Sequence, residues 1–534
     1  MSRTCKTSTF ALVYWHIAKR TELGSEGISE VQDMSTSQIV FGAASFEVAS
    51  QGQVTKIGAG YIFSSPGLEI LHKMSNPEFY RHGWNSWSPT GWRKITEKPL
   101  KIYGNPLRLL TADDSEHFHE GLHAGSGVGA LSDANGKVLL VGALTVGNNV
   151  IIANEERITA QQGNSPSEWF VSYGEETEVF KEYANLLQQR FEIKIKESGP
   201  VWSSWYTFFE DISEKKLLDS IDELATFPID VIQIDDGWET NIGDWSANTK
   251  FPSGMAHMAD YIRSKGKTPG IWLAPLICLP NSKIATEHPD WILKDETGTP
   301  VIAGYNWETM YFTFDSTLQE VKEYLHTLFE EIKSWGFKYF KLDFMYAGAL
   351  PGVRSVQIDR EQAYREAMQT IRHAVGDDSY LLGSGIPMIA SLGIFDGARV
   401  GPDTAPYWDN TERREDSSGP GAWNSICNSL NRYWMSGLYQ TDPDAVFFRS
   451  KQNLLDANSK TLLKQVAQIM GFRSFSDPIA WLSEEEIQEL IVFLSTSPKI
   501  KQKGRYIFEI ESETIDFTDV VFPKKRISDF ILLK

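Results

Sequence analysis

The feature that most restricts the fold of this chain lies after Pro200, where eight apolar runs recur, with long amphipathic stretches between several of them. The runs are VWSSWYTFF, VIQIDDGW, PGIWLAP, YFKLDF, YLLGSGIP, ARVGPDTA, SGLYQTDPD and IMGFRSFSDP. Stretches such as TLQEVKEYLHTLFEEIKSWG and REQAYREAMQTIRHAVG carry helical periodicity. Apolar strands alternating with helices point to repeated βα units, because each parallel neighbour needs a long crossover. Eight such units close a (β/α)8 TIM barrel, expected over 198–493. Most runs end in Asp, Arg, Trp or Ser, and the carboxyl ends of barrel strands are where enzymes of this architecture carry their chemistry.

Upstream, short β-rich runs separated by Gly, Asn and Ser, such as SQIVFGAASFEVAS, KVLLVGALTV and NNVIIANEERITA, predict an N-terminal antiparallel β-sandwich over 1–197. Its last segment, ETEVFKEYANLLQQRF, reads as a connecting helix. From 494 to 534 the alternation in GRYIFEIESETIDF predicts a short C-terminal β domain. The expected protein is therefore multidomain, with the sandwich, the barrel and the cap in that order.

Charge narrows the partners. A net charge of -19, from 51 Lys and Arg against 70 Asp and Glu, repels phosphate backbones and anionic lipids, which argues against nucleic acid and membrane. No run reaches the roughly 18 apolar residues of a membrane span. The apolar run from Phe10 to Ala18 contains His16, is followed by Lys19 and Arg20, and reads as a strand, not a signal peptide. Cys5, Cys278 and Cys427 are few and widely separated, which fits a reducing compartment, and the expected location is cytoplasmic. A homo-oligomer stays open. The 17 Trp, 19 Tyr and 29 Phe could supply rings for sugar faces or simply fill cores.

Two carboxylates stand out. In YFKLDF, Lys341 and Asp343 are two apart, so both project to the same side of a strand, and the ammonium is expected to hold the Asp ionised, as a nucleophile needs. The alternative is a structural ion pair. In ARVGPDTAPYW, Gly401 and Pro402 lift Asp403 onto a loop among Pro406, Tyr407 and Trp408, a partly apolar setting that suits a proton donor; the alternative is a turn Asp. Together, on two strand ends, they make the minimum kit for glycosidic cleavage, retaining or inverting according to their separation. The tandem Asp235 and Asp236 can both face the mouth only where Gly237 turns the chain, and could then accept sugar hydroxyls. No His or further acid stands at metal-ligand spacing, so no metal is expected. Trp272 and Trp238 could stack on a sugar or pack in the core, and Arg399 could clamp a hydroxyl or carboxylate or form a structural pair. Asp442, Asp444 and Asp477 read as groups that cap loops or support the site's residues from behind, not as ones that carry the chemistry.

YFKLDF and RVGPDTAPYW, preceded by QIDDGW and GIWLAP, resemble glycoside hydrolase family 36, the α-galactosidases; HGWNSWSPTGW, SSWYTFF and TDPD resemble it too. The resemblance implies a retaining α-galactosidase that needs no cofactor and acts on small galactosides, with Asp343 as nucleophile and Asp403 as acid/base. It implies a galactose pocket of Asp235, Asp236, Trp272, Lys341, Arg399, Tyr206 and Trp87, the last on a sandwich loop reaching over the barrel mouth. The family often has Cys where Ser384 stands, near the sugar's 2-substituent. The alternatives are an α-N-acetylgalactosaminidase, a transglycosidase of the raffinose-synthase kind, and a sugar-binding protein that cuts nothing.

Overall fold

The computed structural model describes residues 35–102, 111–114, 122–162, 167–409 and 416–524; the run from Phe10 to Ala18 lies outside them. Two antiparallel sheets form the N-terminal sandwich. One orders the strands at 35–41, 44–50, 67–71, 157–161, 150–153 and 123–126; the other orders those at 53–57, 60–64, 168–175, 137–143, 128–132, 78–81 and 91–94. KVLLVGA is apolar without alternation because both its faces are covered. Leu139, Val141 and Ala143 enter the core between the sheets, while Val138 and Leu140 join the core shared with the rest of the molecule. The connecting helix Glu176–Arg190 packs on that second face, where the Tyr183 hydroxyl donates to the Ala143 carbonyl at 2.7 Å.

After it come eight parallel strands: β1 Val201–Ser203, β2 Val231–Ile234, β3 Thr268–Leu273, β4 Tyr339–Leu342, β5 Tyr380–Gly383, β6 Gly397–Arg399, β7 Gln440–Asp442 and β8 Ser474–Phe475. β1 pairs with β2 and with β8, and the rest follow in sequence to β7. The two ends of the sheet meet where Val446, just beyond β7, bridges Phe475, with its N–H on the Ser474 carbonyl at 2.9 Å. Six of the eight strands fall wholly within the eight apolar runs, and β3 and β6 each begin one residue ahead of theirs. Period two explains β4: Phe340 and Leu342 enter the large shared core, whereas Tyr339 belongs to a small separate cluster with Val201, Val231, Tyr380, Leu382 and Phe472. That apolar cluster is small because Gln233, Asp235, Lys341, Arg399 and Asp442 are buried around it.

Two insertions rise beyond the strand ends. A hairpin, Glu239–Asn241 with Asp244–Ala247, follows β2, and a three-stranded sheet of 277–278, 309–313 and 302–306 follows β3. At the far end, helix Glu484–Ser495 carries a capping box of Ser483 and Glu486. Strands 500–504, 507–510 and 513–516 then form an antiparallel meander. Arg505 ties it to the sandwich through Glu78 at 2.6 Å and Glu176 at 2.7 Å. Among the described residues no helix is long and apolar enough to cross a membrane.

Candidate active site

The sandwich loop that follows strand 78–81 lies on the segment after β5. Ser86 donates its N–H to the Ile386 carbonyl at 3.0 Å and its hydroxyl accepts from the Ile386 N–H at 3.0 Å. Beneath it, the buried Arg432 guanidinium donates to the carbonyls of Gly83, Asn85, Ser86, Ser88 and Val400, so one cation holds the loop's shape. Trp84 donates to Glu361 Oε1 at 2.8 Å. Trp87 is thereby set edge-on against Phe344, 5.4 Å between ring centres, beside Asp343.

Asp343 extends β4 by one residue, its N–H reaching the Leu273 carbonyl at 2.8 Å. Trp272, at the end of β3, donates Nε1 to Asp343 Oδ2 at 3.1 Å, and the Phe344 N–H lies 3.0 Å from Oδ1. Burial pushes the Asp343 carboxyl above the usual carboxylate range; Lys341 opposes this, the Asp403 charge adds to it, and Trp272 and the Ser384 hydroxyl oppose it. The expectation that Lys341 pairs with Asp343 and dominates it is corrected here. The Lys341 ammonium bonds Asp235 Oδ2 at 2.8 Å. Burial then outweighs the attraction of a lysine that is already paired.

Asp235 is only 1% exposed and also accepts from Ser203 at 3.3 Å and from the Gln233 amide. Its neighbour Asp236 turns elsewhere because the chain bends at Gly237, whose φ of 109° is open to glycine; a Cβ there would also sit 2.6 Å from the Glu210 carbonyl. Asp236 accepts from Trp307 Nε1 at 3.0 Å. Burial and then the neighbouring Glu239 push its carboxyl well above the usual range.

Asp403 follows β6 on a loop and is 37% exposed. Arg399 Nη2 lies 3.0 Å from Asp403 Oδ1 and 2.8 Å from Asp444 Oδ2, so it clamps two carboxylates. Asp444 in turn accepts from the Thr404 N–H at 2.8 Å and from the Tyr206 hydroxyl, which fixes the loop carrying Asp403. Burial pushes Asp442 up to about 7, with Arg399 opposing. Asp477 caps the segment after β7, accepting from the Phe448 N–H at 2.6 Å and from Arg449 at 2.7 Å. Ser384 is fully buried at the end of β5.

Asp343, Asp403, Trp272, Trp87 and Ser384 thus gather at the ends of β3 to β6. Lys341, Asp235 and Arg399 form the buried charged layer beneath, and Tyr206 and Asp236 flank it. Trp238 does not join them: it is fully buried, donates to the Trp272 carbonyl at 2.9 Å and packs on Trp245 and Trp335, a core residue. Trp307, Glu239 and Phe344 are the neighbours that sequence reasoning missed; the alternation flanking NWET in AGYNWETMYFTF is the signal that could have flagged the hairpin bearing Trp307. Among the described residues no group of three His, Cys, Asp or Glu side chains could hold a metal ion.

The Melibiase family model matches residues 164–372. The chain is 28% identical over 194 residues to α-galactosidase 1 of Pediococcus pentosaceus, covering 33% of this chain and 26% of that protein. It is 28% identical over 178 residues to α-galactosidase AgaA of Geobacillus stearothermophilus, covering 30% and 23%. The matched stretches thus span about a quarter of these relatives' own lengths. The solved structure of GH36 AgaA shares the fold at 16% identity, with a TM-score of 0.58 over 84% of this chain and 67% of that one. TtGalA, the α-galactosidase of Thermus thermophilus solved with p-nitrophenyl α-D-galactopyranoside, is 38% identical over 91% of this chain and 100% of its own, with a TM-score of 0.86. With likeness on that scale, the chain belongs to the α-galactosidases of glycoside hydrolase family 36.

Proposed function

We propose that this chain is a retaining α-galactosidase that removes terminal non-reducing α-D-galactosyl residues from small galactosides. Two carboxylates at the ends of β4 and β6, close enough for the charge of one to raise the other, carry the reading. Asp343 attacks the anomeric carbon while Asp403 gives its proton to the leaving oxygen; Asp403 then takes a proton from water, which attacks the same carbon and frees Asp343. Asp235, Asp236, Trp272, Lys341, Arg399, Tyr206, Trp87 and Ser384 bind or orient the sugar, and no cofactor takes part. TtGalA has been solved with stachyose as well, which supports a small galactoside as substrate. The scaffold is a closed (β/α)8 barrel over 198–493, between a sandwich over 1–197 and a β unit over 494–534. The few and widely separated cysteines, Cys5, Cys278 and Cys427, support a cytoplasmic location.

Trapping with a 2-fluoro galactosyl fluoride, followed by peptide mass mapping, tests this. The label is expected on the peptide around Asp343; a label elsewhere, or none with an enzyme that turns over nitrophenyl α-galactoside, refutes the covalent route. Faster cleavage of the N-acetyl analogue than of the galactoside itself would reassign the substrate.

A further inference from the structure

The hairpin inserted after β3 ends in a two-residue turn, with Asn306 paired to Thr309 across the ladder. Its central residues are Trp307 and Glu308, and both are left-handed, with φ of 47° and 60°. Such a turn follows strand twist, but chains normally give it Asn-Gly, because a Cβ makes the left-handed conformation costly. Here a β-hairpin carries that cost twice, once for its largest side chain. The side chain it places is specific: the Trp307 indole lies 5.3 Å from the Phe344 ring and 5.8 Å from that of Tyr311, and donates its N–H to Asp236 Oδ2 at 3.0 Å. Asp236 is held from the other side by Glu239, itself buried and anchored by the Gly237 N–H at 3.2 Å. A carboxylate oxygen has two lone pairs, so Oδ2 can accept from the indole and from a hydroxyl together.

We propose that Trp307 is a positioning residue which, through its hydrogen bond to Asp236, sets how strongly the site selects the sugar hydroxyl that Asp236 accepts. This rests on the reading of Asp236 as a sugar ligand. The strained turn is then the means of bringing an N–H to one side of a carboxyl group whose other side meets the acidic Glu239. Strain stored at a site is understandable where it fixes a binding group in place.

The test crosses a protein change with a substrate change. Trp307→Phe keeps a ring against Phe344 and Tyr311 and lacks the donor. Steady-state kinetics on nitrophenyl α-galactoside and on its 4-deoxy and 6-deoxy analogues should give about a tenfold loss of kcat/KM on the galactoside, mostly as a rise in KM. On the analogue lacking the hydroxyl that Asp236 accepts, parent and variant should agree within about twofold. Equal losses on all three substrates reduce the indole to packing and overturn the proposal, as does a fall in KM, which would make the indole a competitor of the sugar. If the melting curve reports that Trp307→Phe is unfolded, Glu239→Gln puts the same question to Asp236 from its other side, and losses confined to the same analogue comparison are expected. Should the parent chain cleave none of these substrates, the galactosidase reading fails by itself. Calorimetric binding of galactose against its 4-deoxy and 6-deoxy forms, to the parent and to Trp307→Phe, then decides the positioning role separately.

Discussion

Lys341 carries two loads, and they can be separated. Its ammonium is the buried partner of Asp235 at 2.8 Å, and its charge is the chief influence opposing the burial of Asp343. In Lys341→Met, Asp235 is left 1% exposed with no counter-ion, which costs about 3–5 kcal/mol of stability. In the double variant with Asp235→Asn both charges go, and much of that loss should return. The electrostatic load behaves otherwise. Without Lys341, burial and the Asp403 charge act on Asp343 with less opposition, and its ionisation moves to higher pH. Asp343 attacks only as the carboxylate, so the acid limb of kcat/KM, which reports the free enzyme, moves to higher pH with it. Below the limb the variant loses about tenfold in rate for each whole pH step the limb has travelled, and above it this effect vanishes. The assay is kcat/KM on nitrophenyl α-galactoside across the acid and neutral range. The double variant lacks Asp235 and will be slower at every pH, so the position of the limb, not its height, is the readout. An unmoved limb in both variants would refute Lys341 as the counterweight to burial at Asp343.

Asp403→Ala should fold, because Arg399 keeps Asp444 at 2.8 Å, and should lose most on galactosides with poor leaving groups and least on an activated phenol; equal losses across a leaving-group series would contradict the acid role. Glu361, fully buried beneath Trp84, has its carboxyl pushed from 4.5 to about 8 by burial. The folded protein therefore binds a proton that the unfolded chain has released, so stability is full below about pH 4.5 and falls as pH rises through about 8. Glu361→Gln, which can still accept from Trp84, should flatten that slope and stabilise the alkaline form by on the order of 3–5 kcal/mol; denaturant midpoints at about pH 5 and pH 9 that fall in parallel for parent and variant would contradict it.

What the sequence discloses here is periodic, and what it withholds is contact between distant segments. The strands were legible because a parallel strand covered on both faces must be apolar along its length, and its polar end then marks where the cover stops. Period two likewise sets Lys341 and Asp343 on one side of β4. It says nothing of which carboxylate the ammonium meets. Asp235, just past the end of β2, is 106 residues away, and only the order of the strands, with β3 between β2 and β4, brings it to Lys341. Arg399 was ambiguous for the same reason, because both its partners lie on loops whose course no local pattern fixes. Trp238 shows the same ambiguity from the other side: a tryptophan at a strand end has the same local sequence whether it faces a ligand or a second layer of indoles, and here it faces the indoles.

Trp307 was hidden more deeply, since the turn that presents it lacks the glycine by which such turns are recognised. A turn that departs from its preferred residues escapes the turn signature, leaving only the alternation of its flanking strands to betray it, because something other than the turn decides its sequence. In this hairpin that something is an indole N–H directed at Asp236. Local rules fail at the point where the chain gives up local stability to deliver a side chain across the fold, so a mismatch between turn geometry and turn residues is itself evidence of where a site lies.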